Sequence, residues 1–281
     1  MLVNFIEMLD KAKKSHYAIP QLNINNLEWT KYILEECNSL RVPVILGVSE
    51  GATKYMGGYN VVASLVKELV KSLNIEIPVC LHLDHGTTKE SCIKAIEAGY
   101  TSVMIDASKN ELEKNIEITK EVVEYAHERG VSVEAEVGHI GGTEDNITSS
   151  STNATLEECK KLYEKTNIDA LAPALGSVHG FYKGEPNLDF NTMKIINENL
   201  PIPLVLHGGT GIPNDKIATA IRCGISKINI NTDLQVVWSN AVRKKLMEDE
   251  NVYDPRKIIG SGEEAIKQRI KEIVTLFNTS L

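Results

Sequence analysis

Positive charge is the scarcer sign in this chain: 30 lysines and arginines stand against 38 aspartates and glutamates, a formal net charge of −8. Global nucleic-acid binders are basic as a rule, so that class is set aside. An anionic substrate would have to be held by a local pocket of backbone amides, Lys, Arg or metal. Cysteines are few. Cys37, Cys80, Cys92, Cys159 and Cys223 are scattered, odd in number and without a C-x-x-C pair. That excludes a disulfide framework and a cysteine-zinc site. No apolar run approaches the roughly 18 residues of a membrane span. The N-terminal stretch MLVNFIEMLDKAKK is amphipathic, carries acids and lacks the apolar core and cleavage site of a signal peptide. The absences together set the expectation of a cytoplasmic protein with no membrane or nucleic-acid partner. A linker, a low-complexity tract and an internal repeat are missing as well.

What is present is an alternation. Of 281 residues, 42% are hydrophobic, enough for one large core. Eight β-rich runs occur: 17–24, 42–50, 77–85, 101–108, 131–138, 169–176, 202–209 and 226–232. Helical patterns lie between them. One spans 110–129 and stops at Gly130; another opens at Thr155 with the capping-box sequence TLEE; the last covers about 263–277. Eight β-α units predict a (β/α)8 TIM barrel of the α/β class, with residues 1–281 as a single barrel domain and a C-terminal helical extension. An open doubly wound sheet is the other arrangement, but no G-x-G-x-x-G follows the first run.

Polar residues gather at the C-terminal ends of all eight runs, the face where barrels place their active sites. They include Asn23, Ser49-Glu50, Asp84-His85, Asp106 and Ser108, Glu134 and Glu136, then GSVHG, HGGTG and NINTD. His85, His179 and His207 follow the third, sixth and seventh runs. A barrel brings those ends around one opening, and three imidazoles facing one point suit Zn2+ or another divalent metal with a position open to substrate. His82 lies deeper in its strand and reads as structural; His16 and His127 read as surface. HGGTG (207–211) and NINT (229–232) offer glycine-freed backbone amides and threonine hydroxyls where barrels commonly hold phosphate, and Gly180 and Lys183 in HGFYKG add an amide and a charge. The stretch 139–154, HIGGTEDNITSSSTNA, reads as a polar loop opened by His139. Carrying Glu144 and Asp145, it would serve as a lid over the mouth.

The motifs LHLDHG, SVMIDAS, VEAEVG…GGTED, ALGSVHGFYKGEPNL, LHGGTGIP, KININTD and YDPRK together resemble the class II, metal-dependent fructose-bisphosphate aldolases of the short bacterial type. The resemblance runs over nearly the whole chain. It implies that His85, His179 and His207 hold the catalytic metal, with Asp106 and Glu136 as secondary contacts when the ion shifts. Asp84 is implied as the acid/base at the substrate's C4 hydroxyl, and Glu144 as the group exchanging the proton on the dihydroxyacetone phosphate half. Asn229 would orient the enediolate. Gly180, Lys183, Gly208, Thr210, Asn231 and Thr232 would hold the first phosphate, while Asn23 and Ser49 would contact the sugar. Arg256 resembles an arginine that reaches the second phosphate from a neighbouring subunit, which implies a homodimer or homotetramer. An assisting monovalent cation belongs to the same set of expectations. The chain departs from many relatives at Thr210 (often Ser), Asn231 (Asp in some fructose-specific members) and His139 (often Thr or Cys).

Carbon–carbon cleavage beside a ketone needs either a lysine Schiff base or a metal to take up the developing charge. No strand's C-terminal end carries a lysine, and three histidines stand there instead, which favours the metal. Tagatose-bisphosphate and related ketose-phosphate aldolases share the scaffold and are the alternative substrates. An amidohydrolase-type metallohydrolase would show H-x-H at the end of the first strand, which here reads QLNIN. A non-catalytic phosphosugar-binding barrel would most simply have lost a histidine, Asp84 or Glu144, and all are present.

Overall fold

Period-two alternation within each run decides which side chains face the barrel axis. The computed structural model describes residues 2–144, 147–149, 153–180, 182 and 184–279, with the side chains of 143, 144 and 147–149 outside that description. Its strands are β1 (Ile19–Asn23), β2 (Val44–Ser49), β3 (Val79–Gly86), β4 (Ser102–Ile105), β5 (Ser132–Val137), β6 (Gly141–Glu144), β7 (Ile147–Ser149), β8 (Ala170–Pro173), β9 (Val178–His179), β10 (Leu204–Leu206) and β11 (Ile225–Ile230). Eight of these close a parallel barrel in the order β1-β11-β10-β8-β5-β4-β3-β2. Helices connect them, so the (β/α)8 expectation holds.

The interior is layered. At the bottom, Ile19, Ile45, Cys80, Ala170 and Val205 meet Phe5, Met8, Leu9 and Ala12 from the helix Ile6–Ser15 and its approach, which plug that end. Burying each large apolar side chain contributes about 1.5–3 kcal/mol. The next inward positions are polar and fully buried: Gln21, His82, Ser102, Ser132, Glu134 and Lys227. Small neighbours make room for them. Gly47 lies where a Cβ would press on the Gln21 side chain, and Ala170 is the register partner of Glu134. Above this layer come Asn23, Asp84, Glu136, His207 and Asn229, also buried. Outside the barrel, the larger apolar cluster fills the space between strands and helices.

Helix starts follow side-chain chemistry. Thr155 and Glu158 form the reciprocal capping box, and Asn26, Thr88 and Asp189 each accept a first-turn amide. The terminal helix Glu263–Phe277 buries Ile266, Ile270, Ile273 and Phe277 and lies against the helix Leu27–Leu40, where Lys267 Nζ donates to Glu35 at 2.9 Å.

The stretch from His139 departs from a plain loop. Strands β6 and β7 pair antiparallel, and β6 runs parallel beside β9. Its glycine and serine content concealed this, because strand propensity there is low. Backbone pairing made the difference: Gly142 packs on His179 so closely that a Cβ would collide with the His179 carbonyl oxygen.

Candidate active site

His85, His179 and His207 converge at the C-terminal mouth. Ligand-capable atoms from the three lie within 4.8 Å of one another. The ring centroids are 4.9, 4.6 and 5.7 Å apart, with steeply inclined planes. His85 reaches this position by a backbone in the left-handed region, φ 50°, a conformation costing on the order of 1–3 kcal/mol for a non-glycine residue. Gly86 follows because a Cβ there would press on the Met104 carbonyl oxygen at 2.7 Å. The LHLDHG motif is therefore a strand that turns sharply at its tip to present His85.

Two of the rings are braced from behind. His85 Nδ1 lies 2.9 Å from Asp106 Oδ2, and His207 Nε2 lies 2.8 Å from Glu134 Oε1. Consequently His85 Nε2 and His207 Nδ1 face each other at 2.9 Å. Metal-binding imidazoles typically present one nitrogen while the other is fixed by a carboxylate. The donor set and its bracing fit a divalent metal of the zinc type. His85, Asp106 and Glu136 form a second group with ligand-capable atoms equally close together. Ser108 Oγ donates to Asp106 Oδ1 at 2.6 Å, and the Ile140 amide donates to Glu136 Oε1 at 2.9 Å. His139 stands beside this group: its Nδ1 lies 2.9 Å from Ser108 Oγ and 3.6 Å from Glu136 Oε1. The nearby Glu136 carboxylate raises the pKa of His139.

Asp84 is 2% exposed and held between two amides, Asn23 Nδ2 at 2.9 Å and Asn229 Nδ2 at 3.4 Å. Burial works to raise its pKa, but the positive potential of His85, His207 and Lys227 prevails and holds the carboxyl well below the usual range. The group is thus ionised at neutral pH.

The glycine loop after β10 is shaped for close approach. Gly208 (φ 63°) packs against the Val178 carbonyl. Tyr182 Oη donates to the Gly208 carbonyl at 3.0 Å and accepts from the Val178 amide at 3.2 Å, tying this loop to β9. Thr210 Oγ accepts from the Asp233 amide at 3.2 Å. Asn231 precedes the helix Thr232–Glu248, so Thr232 stands at a positive helix end. Gly180 (φ 80°) follows His179 on the same side. Ser49 is buried and its Oγ accepts the Ala52 amide at 3.1 Å, capping the next helix.

Three site expectations are not placed in this way. Lys183 and the Glu144 side chain lie outside the described residues. Arg256 is exposed on the helix Pro255–Gly260 and pairs with Asp254 at 3.0 and 2.8 Å. Among the described residues it makes no hydrogen bond to any other candidate site residue.

Sequence reasoning passed over Glu134's bracing role, Tyr182 and Lys227. Lys227 Nζ is fully buried, 2.8 Å from Glu134 Oε2 and 2.8 Å from Asn229 Oδ1. It lies one inward position below Asn229 rather than at the strand end, and its ammonium is ion-paired, unlike a free amine nucleophile. Inward phase on β11 was the available signal.

His82, read as structural, is fully buried beneath the site, with Nδ1 2.7 Å from Ser102 Oγ. Burial first, and the Lys227 charge second, push its pKa down to about 3. Between that value and about 6.5 the unfolded chain binds a proton there and the folded one does not, so this residue lowers stability as pH falls through that window. The slope is up to about 1.4 kcal/mol per pH unit. His179 shifts the same way and His139 the opposite way. Asp84, Asp106 and Glu134, all lowered, contribute stability above about pH 4 that is lost below it. Urea unfolding of the metal-free protein between pH 7 and 5 is therefore expected to show falling stability, with a shallower slope in His82→Gln. An unchanged slope in that variant would assign the effect elsewhere.

A closed (β/α)8 barrel with a braced three-histidine cluster, an ionised buried aspartate and a glycine-rich loop at one mouth defines a barrel with a candidate metal site. Comparison with known proteins sharpens this. The family model "Fructose-bisphosphate aldolase class-II" matches residues 3–280. A fructose-bisphosphate aldolase of Geobacillus stearothermophilus is 56% identical over 270 residues, covering 96% of this chain and 94% of that protein. One of Staphylococcus epidermidis is 55% identical over 280 residues, covering 99% and 98%. The crystal structure of the YdjI aldolase from Escherichia coli K12 superposes with a TM-score of 0.86 at 30% identity, covering 100% of this chain and 98% of that one. Fructose-bisphosphate aldolase from Campylobacter jejuni gives 0.85 at 26%, covering 99% and 95%. The chain belongs to the class II fructose-bisphosphate aldolase family, whose members are metal-dependent lyases.

Proposed function

We propose that the protein reversibly cleaves fructose 1,6-bisphosphate to dihydroxyacetone phosphate and glyceraldehyde 3-phosphate, with Zn2+ held by His85, His179 and His207. The observation that carries this is the convergence of those rings with the buried, ionised Asp84 at one mouth. When bound, the metal supplies Lewis-acid polarisation of the ketone. Asp84 accepts the C4 hydroxyl proton as the C4 carbonyl forms and the C3–C4 bond breaks. The bond's electron pair passes into the ketone half, where the Asn229 amide donates to an oxygen gaining charge. Glu144 then delivers a proton to C3 of that half. Gly180, Lys183, Gly208, Thr210, Asn231 and Thr232 bind its phosphate, and Asn23 and Ser49 contact the sugar. Asp106 and Glu136 offer the ion an alternative position beside His85. In the same reading the whole chain acts as one barrel unit in the cytoplasm, a setting suited to its free cysteines. Arg256 serves a partner's second phosphate in a homodimer or homotetramer, which its exposure permits. Light scattering that found only monomer at assay concentration would sink the assembly.

Fructose and tagatose 1,6-bisphosphates should be assayed side by side, with EDTA and then with Zn2+ restored. The expected result is EDTA-sensitive cleavage, recovered by zinc and preferring fructose. Preference for tagatose would overturn the substrate. Absence of cleavage of either by zinc-loaded protein would overturn the activity.

A further inference from the structure

Lys227 carries a charge at the centre of the barrel that takes no direct step in the reaction above. Its side chain has no exposure, and a buried lysine persists only where ion pairing and acceptors replace water. Both of its acceptors lead to the mouth. An ammonium has three donors and no acceptor. The Asn229 atom at 2.8 Å from Nζ is therefore the carbonyl oxygen Oδ1. That fixes the amide the other way round at its far side, with Nδ2 toward Asp84 Oδ1 at 3.4 Å. The second acceptor, Glu134 Oε2, is 2.8 Å away, while Glu134 Oε1 takes His207 Nε2 at 2.8 Å. His207 Nδ1 is thereby the nitrogen presented to His85.

We propose that Lys227 is a positioning residue for the reaction. One ammonium sets the orientation of the Asn229 amide and anchors the carboxylate that aims His207. This rests on the aldolase reading for the step it serves. It differs from simple neutralisation of Glu134, because Asn229 Oδ1 would lose its donor even if the carboxylate's charge were removed too.

The test compares Lys227→Met with the charge-compensated double variant Lys227→Met, Glu134→Gln. Three quantities are read on each: thermal midpoint, zinc affinity by competition with a chromophoric chelator, and the separate kcat and KM for fructose 1,6-bisphosphate. The single variant leaves a buried carboxylate without its cation. It is expected to lose about tenfold in zinc affinity and about 100-fold in kcat. In the double variant the introduced amide's carbonyl can still accept from His207, so midpoint and zinc affinity should recover to within a few-fold of the parent. The kcat should stay about 100-fold low with KM within about threefold, the mark of a misdirected Asn229 rather than lost binding. Recovery of kcat in the double variant would overturn the proposal and leave the lysine as a counter-ion. Unchanged zinc affinity and kcat in the single variant would do the same. A double variant unable to fold would also overturn it, by making Lys227 structural. If the parent cleaves no bisphosphate, the aldolase reading fails, while the zinc-affinity contrast still tests the Lys227–Glu134–His207 link.

Discussion

His207→Ala protein is expected to lose its zinc and, with it, activity by on the order of 10⁴-fold or more. The metal's charge stabilisation is worth several kcal/mol, and each 1.36 kcal/mol is a factor of ten in rate. Asp106 and Glu136 give an ion a second position beside His85, but no other imidazole takes this ring's place in the three-histidine group. It is fully buried, aimed by Glu134 at 2.8 Å, and its Nδ1 is the atom facing His85. Truncation leaves two histidines and removes one acceptor's partner, since Glu134 keeps Lys227. The fold should therefore survive, because β10, which His207 follows, keeps its ladders to β11 and β8. Zinc per protomer, far-UV circular dichroism and kcat/KM check this together. A folded His207→Ala protein retaining stoichiometric zinc and activity would remove His207 from the site. Glu134→Gln should be milder, about 10–100-fold in zinc affinity, as expected for a residue that orients a ligand without touching the ion.

The contrast between these two residues shows what the sequence can and cannot convey. His207 was legible because it ends an apolar run beside HGGTG, and a barrel places every strand end at one opening. Asp84, His85 and His179 were legible for the same reason. Alternation also shows that Glu134 and Lys227 face inward, but it does not say which strand's residue meets which. That depends on the stagger of the strands around the barrel, which brings Lys227 of β11 to Glu134 of β5 across the interior. The pairing strands β6 and β7 escaped notice because glycine and serine carry little strand signal, and the parallel partner of β6, β9, lies more than thirty residues away. His139 looked like the start of a loop; its contact with Ser108, 31 residues away, has no local signature, although Glu136 stands only three residues before it. Arg256 shows the opposite limit. The motif DPR was easy to see, but its exposed guanidinium finds Asp254 within its own chain, and a role at a second phosphate depends on a neighbouring copy.

Asp84→Ala should separate chemistry from metal binding. Its kcat for fructose 1,6-bisphosphate is expected to fall by about 10²–10⁴-fold, the range for loss of a general acid–base, while zinc stays bound. Retention follows from the bracing: His85 is fixed by Asp106 and His207 by Glu134, and neither ring depends on Asp84 for its hydrogen bond. The two halves of the reaction should also part. In the proposed mechanism Asp84 acts on the C4 hydroxyl, which dihydroxyacetone phosphate does not possess. Exchange of the C3 proton of dihydroxyacetone phosphate with solvent, assigned to Glu144, should therefore persist in Asp84→Ala to within about tenfold. In Glu144→Ala it should drop by about 10²-fold or more. Nuclear magnetic resonance of dihydroxyacetone phosphate in D2O reads this exchange directly. Loss of exchange together with cleavage in zinc-loaded Asp84→Ala would mean that the aspartate, held by Asn23 and Asn229, serves the ketone half as well. The two proton transfers would then not belong to two separate carboxylates.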